Sequence, residues 1–544
     1  MMLFSCFLII ITVGFLYIPI LHKHYRKIKV ITNESTEKKI QIYPQAPGPL
    51  PWPIFGNLNL LKSHKGPLQA FTDLSNQFGD IYTLVMGNTR CIVVSKLEVI
   101  REVLNQNGKF FGGRPNFIRY HKLFGGDRNN SLALCDWSSL QKRRRNLARK
   151  HCSPRSSSPH FTKMSNVGCL ETAILLKLLN EEINGSKLIS IKPFIQRACA
   201  NMFFSYMCSL RFEHNDLEFC EIVEFFDKIF WEINQGYVLD FLPWLAPFYK
   251  YYIKKIVHWS STIRCFIMNR VIKRRELFKN QPEDDFTEAL LKHLSDDKDV
   301  ARDTILFMLE DFIGGHSAVG NLVMLTLMYL AKNPIVAKKI QLEGDLISPK
   351  EQHTISFYDI DAMPYTIATI FEVLRCSSSP IVPHVATEDV VISGYGIAKG
   401  TIVFINNYKS NYSKLYWKQP HCFQPERFLE QRVLRQPGNK PSTADYGTGA
   451  IFVDNPKGSM GTEAKNYPPQ LKKNISFFLP FSIGKRTCIG QNLVRGFGFI
   501  LVANILRQYD IKYENNTTID VPKGSIALPA NPMPLLLVKR NQNF

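Results

Sequence analysis

The chain lacks the features that mark a disulfide scaffold or a zinc module. Its twelve cysteines are scattered, and none stands in a Cys-x-x-Cys pair. That pattern points to free thiols in a reducing compartment. Zinc-finger spacing and a helix-turn-helix signature are also missing. Nucleic acid is therefore a poor fit as partner despite a formal net charge of +21. Acidic residues are the scarcer sign, 46 against 67 Lys and Arg, which leaves an acidic protein or an anionic membrane surface to meet the basic faces.

Charge is absent altogether from Met2 to Ile20. At about 1.5 Å per residue such a helix spans about 30 Å, the thickness of a bilayer core. Lys23, Arg26, Lys27 and Lys29 follow it, and no small-residue cleavage site is present, so the run reads as an anchor and not as a signal peptide. The expected division is a transmembrane anchor over 1–21, a basic flank and linker over 22–44, and one catalytic domain over 45–544. Pro47 to Asn57 reads as a stiff Pro-rich spacer. The polar, Gly/Pro/Asn-rich stretch 431–473 reads as a surface insertion.

Gly79 to Ser95 carries a strand-turn-strand pattern, with the turn at Gly87-Asn88. Helical periodicity dominates up to Arg375, including one long apolar helix over Asp303 to Leu330. Short strands return between Val385 and Phe404. The class is mainly α with minor β. Met202 to Tyr252 is rich in aromatics, which suits a greasy pocket, a membrane contact or an ordinary core.

The strongest local signal is Phe481-Ser482-Ile483-Gly484-Lys485-Arg486-Thr487-Cys488-Ile489-Gly490. A metal-binding sulfur must be deprotonated, which nearby N–H groups and cations favour. Glycines let the backbone approach a flat ligand closely. A helix starting after Gly490 aims its positive end at the sulfur. Arg486 offers a fixed cation to a carboxylate.

This loop resembles the F-x-x-G-x-R-x-C-x-G pattern of the cytochrome P450 family, with Phe481, Gly484, Arg486, Cys488 and Gly490 at its fixed positions. The resemblance implies the P450 fold, haem b with Cys488 as axial ligand of the iron, and Arg486 on a haem propionate. Glu372 and Arg375 resemble the family's E-x-x-R, and Arg427 lies in its Pro-Glu-Arg-Phe element; together they imply a buried scaffold. His384 falls where relatives hold a propionate. Trp137 resembles the start of a Trp-x-x-x-Arg pair, but Gln141 stands at the Arg position, which leaves Arg144 or Arg145 to replace it.

One departure concerns chemistry. Where the family carries [Ala/Gly]-Gly-x-[Asp/Glu]-Thr, this chain has Gly314, Gly315, His316, Ser317 and Ala318. Oxygen activation needs protons on that side of the haem. His316 or Ser317 with water, the substrate's own hydroxyl, or a rearrangement that uses no oxygen are the three alternatives. Taken together, the motifs resemble the Spook group of insect enzymes of ecdysteroid synthesis. That resemblance implies a monooxygenase acting on a 7-dehydrocholesterol-like sterol, with electrons from NADPH through a cytochrome P450 reductase, on the endoplasmic reticulum membrane with a cytosolic catalytic domain. Phe307, Asp311 and Pro529 to Pro534 are pocket positions by the same resemblance. An isomerase or dehydratase, and a haem-binding sensor or carrier without turnover, are the rival readings.

Overall fold

The computed structural model describes residues 28–540, excepting 35–36, 63–65, 184–189, 278–283, 297–301, 350–352, 431, 436–450, 455–468, 514–520, 531 and 533. The expected anchor and most of the expected insertion lie outside the described residues.

Helices dominate, and small sheets flank them, as the sequence pattern implies. Strands β1 (Ile28–Glu34) and β2 (Glu37–Tyr43) form an antiparallel hairpin where a linker was expected. The reason is visible in the composition: Ile28, Val30, Ile40 and Ile42 alternate with polar residues about a polar turn. Ile28 and Val30 are buried.

The Pro-rich segment that follows is not a free spacer. Thr83 N donates to Pro47 O at 2.7 Å, and Asn57 exchanges bonds with Val85 at 2.6 and 2.8 Å. Gly48 makes this approach possible, since a Cβ there would lie 2.0 Å from Thr83 O.

Strands β3 (Ile81–Met86) and β4 (Thr89–Val94) pair as expected about Gly87, whose φ is 57°. Further along the chain come β5 (His384–Val385), β6 (Val390–Ile392), β7 (Tyr395–Ile397) and β8 (Ile402–Ile405). The main sheet has the order β3-β4-β8-β5, with β4 and β8 parallel. This pairing brings His384, far along the chain, beside the start of the catalytic body.

The helices around the site are α1 (Ser139–Cys152), α2 (Lys192–Cys208), α3 (Leu217–Ile233), α4 (Lys250–Phe266), α5 (Arg302–Ile313), α6 (Gly315–Lys332), α7 (Pro364–Ser377) and α8 (Gln491–Gln508). Ser138 caps α1 by accepting from Gln141 N, and Asp216 caps α3 by accepting from Phe219 N.

The long helix expected over Asp303–Leu330 is broken into α5 and α6 at Gly314. Ser317 N turns to Gly314 O at 3.2 Å, a tightened turn, while the Asn321 amide competes for Ser317 O at 2.8 Å. Two adjacent glycines remove the side-chain packing that would hold the helix straight. The stretch Arg302–Lys332 is long and apolar enough to cross a membrane, but its apolar window is mostly buried within the fold, so it is the core helix.

One polar junction interrupts the apolar core. Lys192 of α2 donates to Asp227 of α3 at 2.5 Å, and to Leu528 O and Pro529 O. Gln196 and Asn321 donate to the other Asp227 oxygen at 3.0 and 2.8 Å. Asn321 Oδ1 in turn accepts from Leu528 N. Three helices and the C-terminal loop are thus tied at one carboxylate. Removing it strands a buried ammonium, a loss of about 3–5 kcal/mol. Chemical denaturation of Asp227→Ala is expected to show a loss of that size. The double variant Lys192→Met/Asp227→Leu should regain most of it.

Candidate active site

The loop before α8 is shaped by its own backbone. Cys488 N donates to Phe481 O at 2.9 Å, and Thr487 N donates to Gly484 O at 3.2 Å. Gly484 has φ 75°, and a Cβ there would lie 2.1 Å from Leu104 O, so only glycine fits. A Cβ on Gly490 would meet nothing within 4 Å, so the protein itself leaves that position clear.

Cys488 sits deep in the protein, yet its side chain is accessible from a cavity of about 670 Å³ beside it. Burial pushes its thiol up, while the Gly490 N–H and the Arg145 guanidinium pull it down. Gly490 caps α8, so this N–H belongs to the positive end of that helix.

Above the loop lies a corner of cations. The Arg486 side chain is buried and donates to Gly112 O and Cys135 O, which leaves its Nε and Nη1 without partners. Arg114 is buried too and donates to Ala133 O, Val382 O and Pro383 O. Burial, then the charges of Arg486 and Arg145, push Arg114 down to about 9. His384 donates from Nδ1 to Phe111 O at 2.8 Å, and its Nε2 has no partner. Burial, then Arg114, hold His384 well below the usual imidazole range.

Trp137 stands just before the α1 cap. Its Cβ packs where a Gly112 side chain would be, and Arg486 lies over its ring at 5.5 Å. A cluster of mutually repelling cations with free N–H groups calls for an anion with several oxygens. The two carboxylates of haem b fit that requirement, and an anion there would favour the protonated His384 that donates from both nitrogens.

The structure separates residues that the sequence grouped. Gln141, at the expected Arg position, donates instead to Leu132 O at 2.6 Å. Arg145 reaches the thiolate loop at Thr487 O. Arg144 turns the other way, to Asn129 O and Thr304 Oγ1 at 3.4 and 3.5 Å. Arg114 was not singled out from the sequence, although the Gly112-Gly113 pair before it signals close backbone approach.

Glu372, Arg375 and Arg427 are brought together. Arg375 pairs both Glu372 oxygens at 2.8 Å, and Arg427 Nε reaches the same carboxylate at 3.1 Å. Glu372 and Arg375 are fully buried, and Arg375 also holds Asn411 O and Pro420 O.

The α5–α6 side of the site is nearly sealed. From Ile305 to Ala331 only Asp311, Gly314, Gly315 and Ala318 are not buried. At one to two turns apart they form a single stripe. His316 and Ser317 are not on it. His316 donates to Ile313 O at 2.7 Å between the rings of Phe203 and Phe226, and burial pushes it down to about 4. Ser317 Oγ is buried without a partner. Phe307 is buried as well, over Gly125 and under Arg264.

The cytochrome P450 pattern matches residues 46–537. The chain belongs to the cytochrome P450 family. Cytochrome P450 307a1 of Drosophila melanogaster is 57% identical over 535 residues, covering 97% of this chain and 96% of that one. Cytochrome P450 1A1 of the dog is 28% identical over 494 residues, 87% and 86% of the two chains. Cytochrome P450 1A5 of the chicken is 25% identical over 501 residues. As a P450 this protein is a monooxygenase that carries haem on a cysteine thiolate.

One pH dependence follows from the stripe. Burial raises Asp311 from its ordinary 3.8 to about 7. The fold therefore favours the protonated acid. That contribution is complete below about pH 4 and is lost as pH rises through about 7. Asp311→Asn should flatten the fall in thermal midpoint between about pH 4 and 7, read by calorimetry.

Proposed function

We propose that this P450 is a sterol monooxygenase of ecdysteroid synthesis, with Cys488 as the thiolate that would hold the haem iron. The observation that carries the thiolate assignment is the loop itself: an accessible sulfur at the head of α8, beside Arg145 and below a cation corner that fits two propionates. Bound haem supplies oxygen activation: with two electrons and two protons, one oxygen atom enters the substrate and the other leaves as water. The chain's own residues do the rest. The Gly490 N–H and Arg145 oppose the effect of burial and favour the anionic sulfur, which would donate electron density to a bound iron. Arg486, Arg114 and Trp137 would hold the propionates, together with His384 once their charge favours its protonation. Glu372, Arg375 and Arg427 tie α7 to the 411–427 segment as a buried scaffold.

Electrons come from NADPH through a flavoprotein reductase. The cavity beside Cys488 is lined by Lys142, Arg145, Arg149 and Lys485, a face suited to an acidic partner. The sterol reading rests on the Spook-like motifs and on 57% identity to cytochrome P450 307a1.

The protein sits on the endoplasmic reticulum membrane, its body cytosolic. Exposed Trp52, Phe55, Trp244 and Phe248 support a membrane contact besides the anchor. The two groups meet at Gly87, which donates to Phe55 O and abuts Phe241 O. The aromatic stretch thus divides: Phe225 and Phe226 are core, whereas Trp244 and Phe248 face outward.

The reduced protein with carbon monoxide should show the thiolate band, and Cys488→Ala should abolish it. Turnover of 7-dehydrocholesterol with reductase should require NADPH. Product formed without NADPH would favour the isomerase reading, and a bound sterol that gives no product would favour the carrier. Ala318→Thr restores a hydroxyl to the stripe and should raise product formed per NADPH. An unchanged ratio would show that proton supply does not depend on that position.

A further inference from the structure

Helix α1 grips the thiolate loop on both sides of its cysteine. Arg145 donates from Nη2 to Thr487 O, the carbonyl just before Cys488. Ser153 Oγ donates to Ile489 O, the carbonyl just after it, at 3.2 Å. Each donor offsets the negative end of a carbonyl dipole beside the sulfur. Arg145 is largely buried, and it lines the same cavity as Cys488.

The other cations nearby do not share this position. Lys142 and Arg149 line the cavity too, but they are exposed. Arg144 bonds Asn129 O and Thr304 Oγ1 instead. Arg486 is two residues from Cys488 in sequence, yet its guanidinium turns to Gly112 O and Cys135 O. Burial, then Arg486, push Arg145 down to about 10, so it is still a cation at neutral pH. The groups that favour its charge are the thiols of Cys488 and Cys135, and no carboxylate is among them. Among the described residues, Arg145 is also the one side-chain charge that pulls the Cys488 thiol down against burial.

A fixed cation beside a ligand sulfur acts on electrons as well as on the proton. It draws electron density off the sulfur and stabilises the less positive state of the metal. When the iron takes one electron, ferric becomes ferrous, and no bond to the protein forms or breaks. The net charge of the haem-thiolate unit falls by one, so the cation favours the reduced side. Burial preserves the effect, since an enclosed charge is weakly screened by salt. We propose that Arg145 is a positioning residue that acts through the Cys488 sulfur to raise the electron affinity of the bound haem, easing its first reduction by the flavoprotein reductase; this rests on Cys488 as the thiolate, as read above. The basic face is thereby divided: Lys142 and Arg149 point to the partner, and Arg145 to the metal.

The test is the midpoint of the ferric–ferrous couple, measured by spectroelectrochemical titration of the full-length, haem-loaded protein in vesicles. Arg145→Gln keeps an N–H for Thr487 O but loses the charge. It should lower the ferrous-to-ferric ratio at a fixed potential by roughly tenfold, about 59 mV for a one-electron couple. Arg145→Lys keeps a charge and should stay within about threefold of the wild type. Lys142→Gln removes an exposed charge from the same face and should also stay within about threefold. The reduced carbon-monoxide spectrum checks each variant for the thiolate band. Loss of the band in Arg145→Gln but not in Arg145→Lys also supports the role of the charge, and loss in both overturns it. An Arg145→Gln protein with the band and the wild-type midpoint overturns the proposal. So does Arg145→Lys falling as far as Arg145→Gln, or a shift of equal size in Lys142→Gln. A band that survives Cys488→Ala overturns the thiolate reading and this proposal with it. A band lost there, with a midpoint that Arg145→Gln leaves unmoved, overturns this proposal alone.

Discussion

Concentrated positive charge in a buried corner is the constraint on which this structure turns. Arg114, Arg486 and His384 come from three separate stretches of chain and converge where little negative charge answers them. Arg486 lowers the proton affinity of Arg114, and both lower that of His384. Such a corner is costly as bare protein and becomes favourable when a dianion occupies it. The fold around it is arranged to bear that cost. Carbonyls of Gly112, Cys135, Ala133, Val382 and Pro383 take up part of the N–H groups.

The two sides of the site follow opposite rules. The thiolate side is polar, preorganised and open to a basic cavity. The α5–α6 side is sealed, with one acid on its accessible stripe. The usual acid and threonine are missing there, and the residues that replace them are not equivalent in space. Ala318 lies on the accessible stripe, whereas His316 packs against Phe203 of α2 and Phe226 of α3, and Ser317 is buried with its hydroxyl unpartnered. The loss of the family pattern at 317 and 318 is therefore two changes with separate effects.

Much of this was legible in the chain. The mainly helical class and the β3–β4 hairpin can be read from periodicity and spacing, because each depends on local geometry, and the ten-residue loop and the Glu372-Arg375-Arg427 set from their resemblance to the family's motifs. Other features were hidden. Ile28–Tyr43 reads as a linker because charged and polar residues outnumber the alternating Ile28, Val30, Ile40 and Ile42, a weak signal that the strand pairing makes plain. The Gly314 break hides inside a helical period that a single tightened turn does not disturb.

By itself, the sequence determined the ligand chemistry through its resemblance to the family's F-x-x-G-x-R-x-C-x-G pattern, which Phe481, Gly484, Arg486, Cys488 and Gly490 fill. It also determined that the proton-supplying pattern is altered. Only the tertiary structure decided which arginine reaches the thiolate loop, since Arg144 and Arg145 are adjacent in sequence but lie about 100° apart around a helix. It alone brought Arg114 into the cation corner and placed Asp311 on the accessible stripe. Burial and orientation set those roles, and both depend on which distant segments close around the residue.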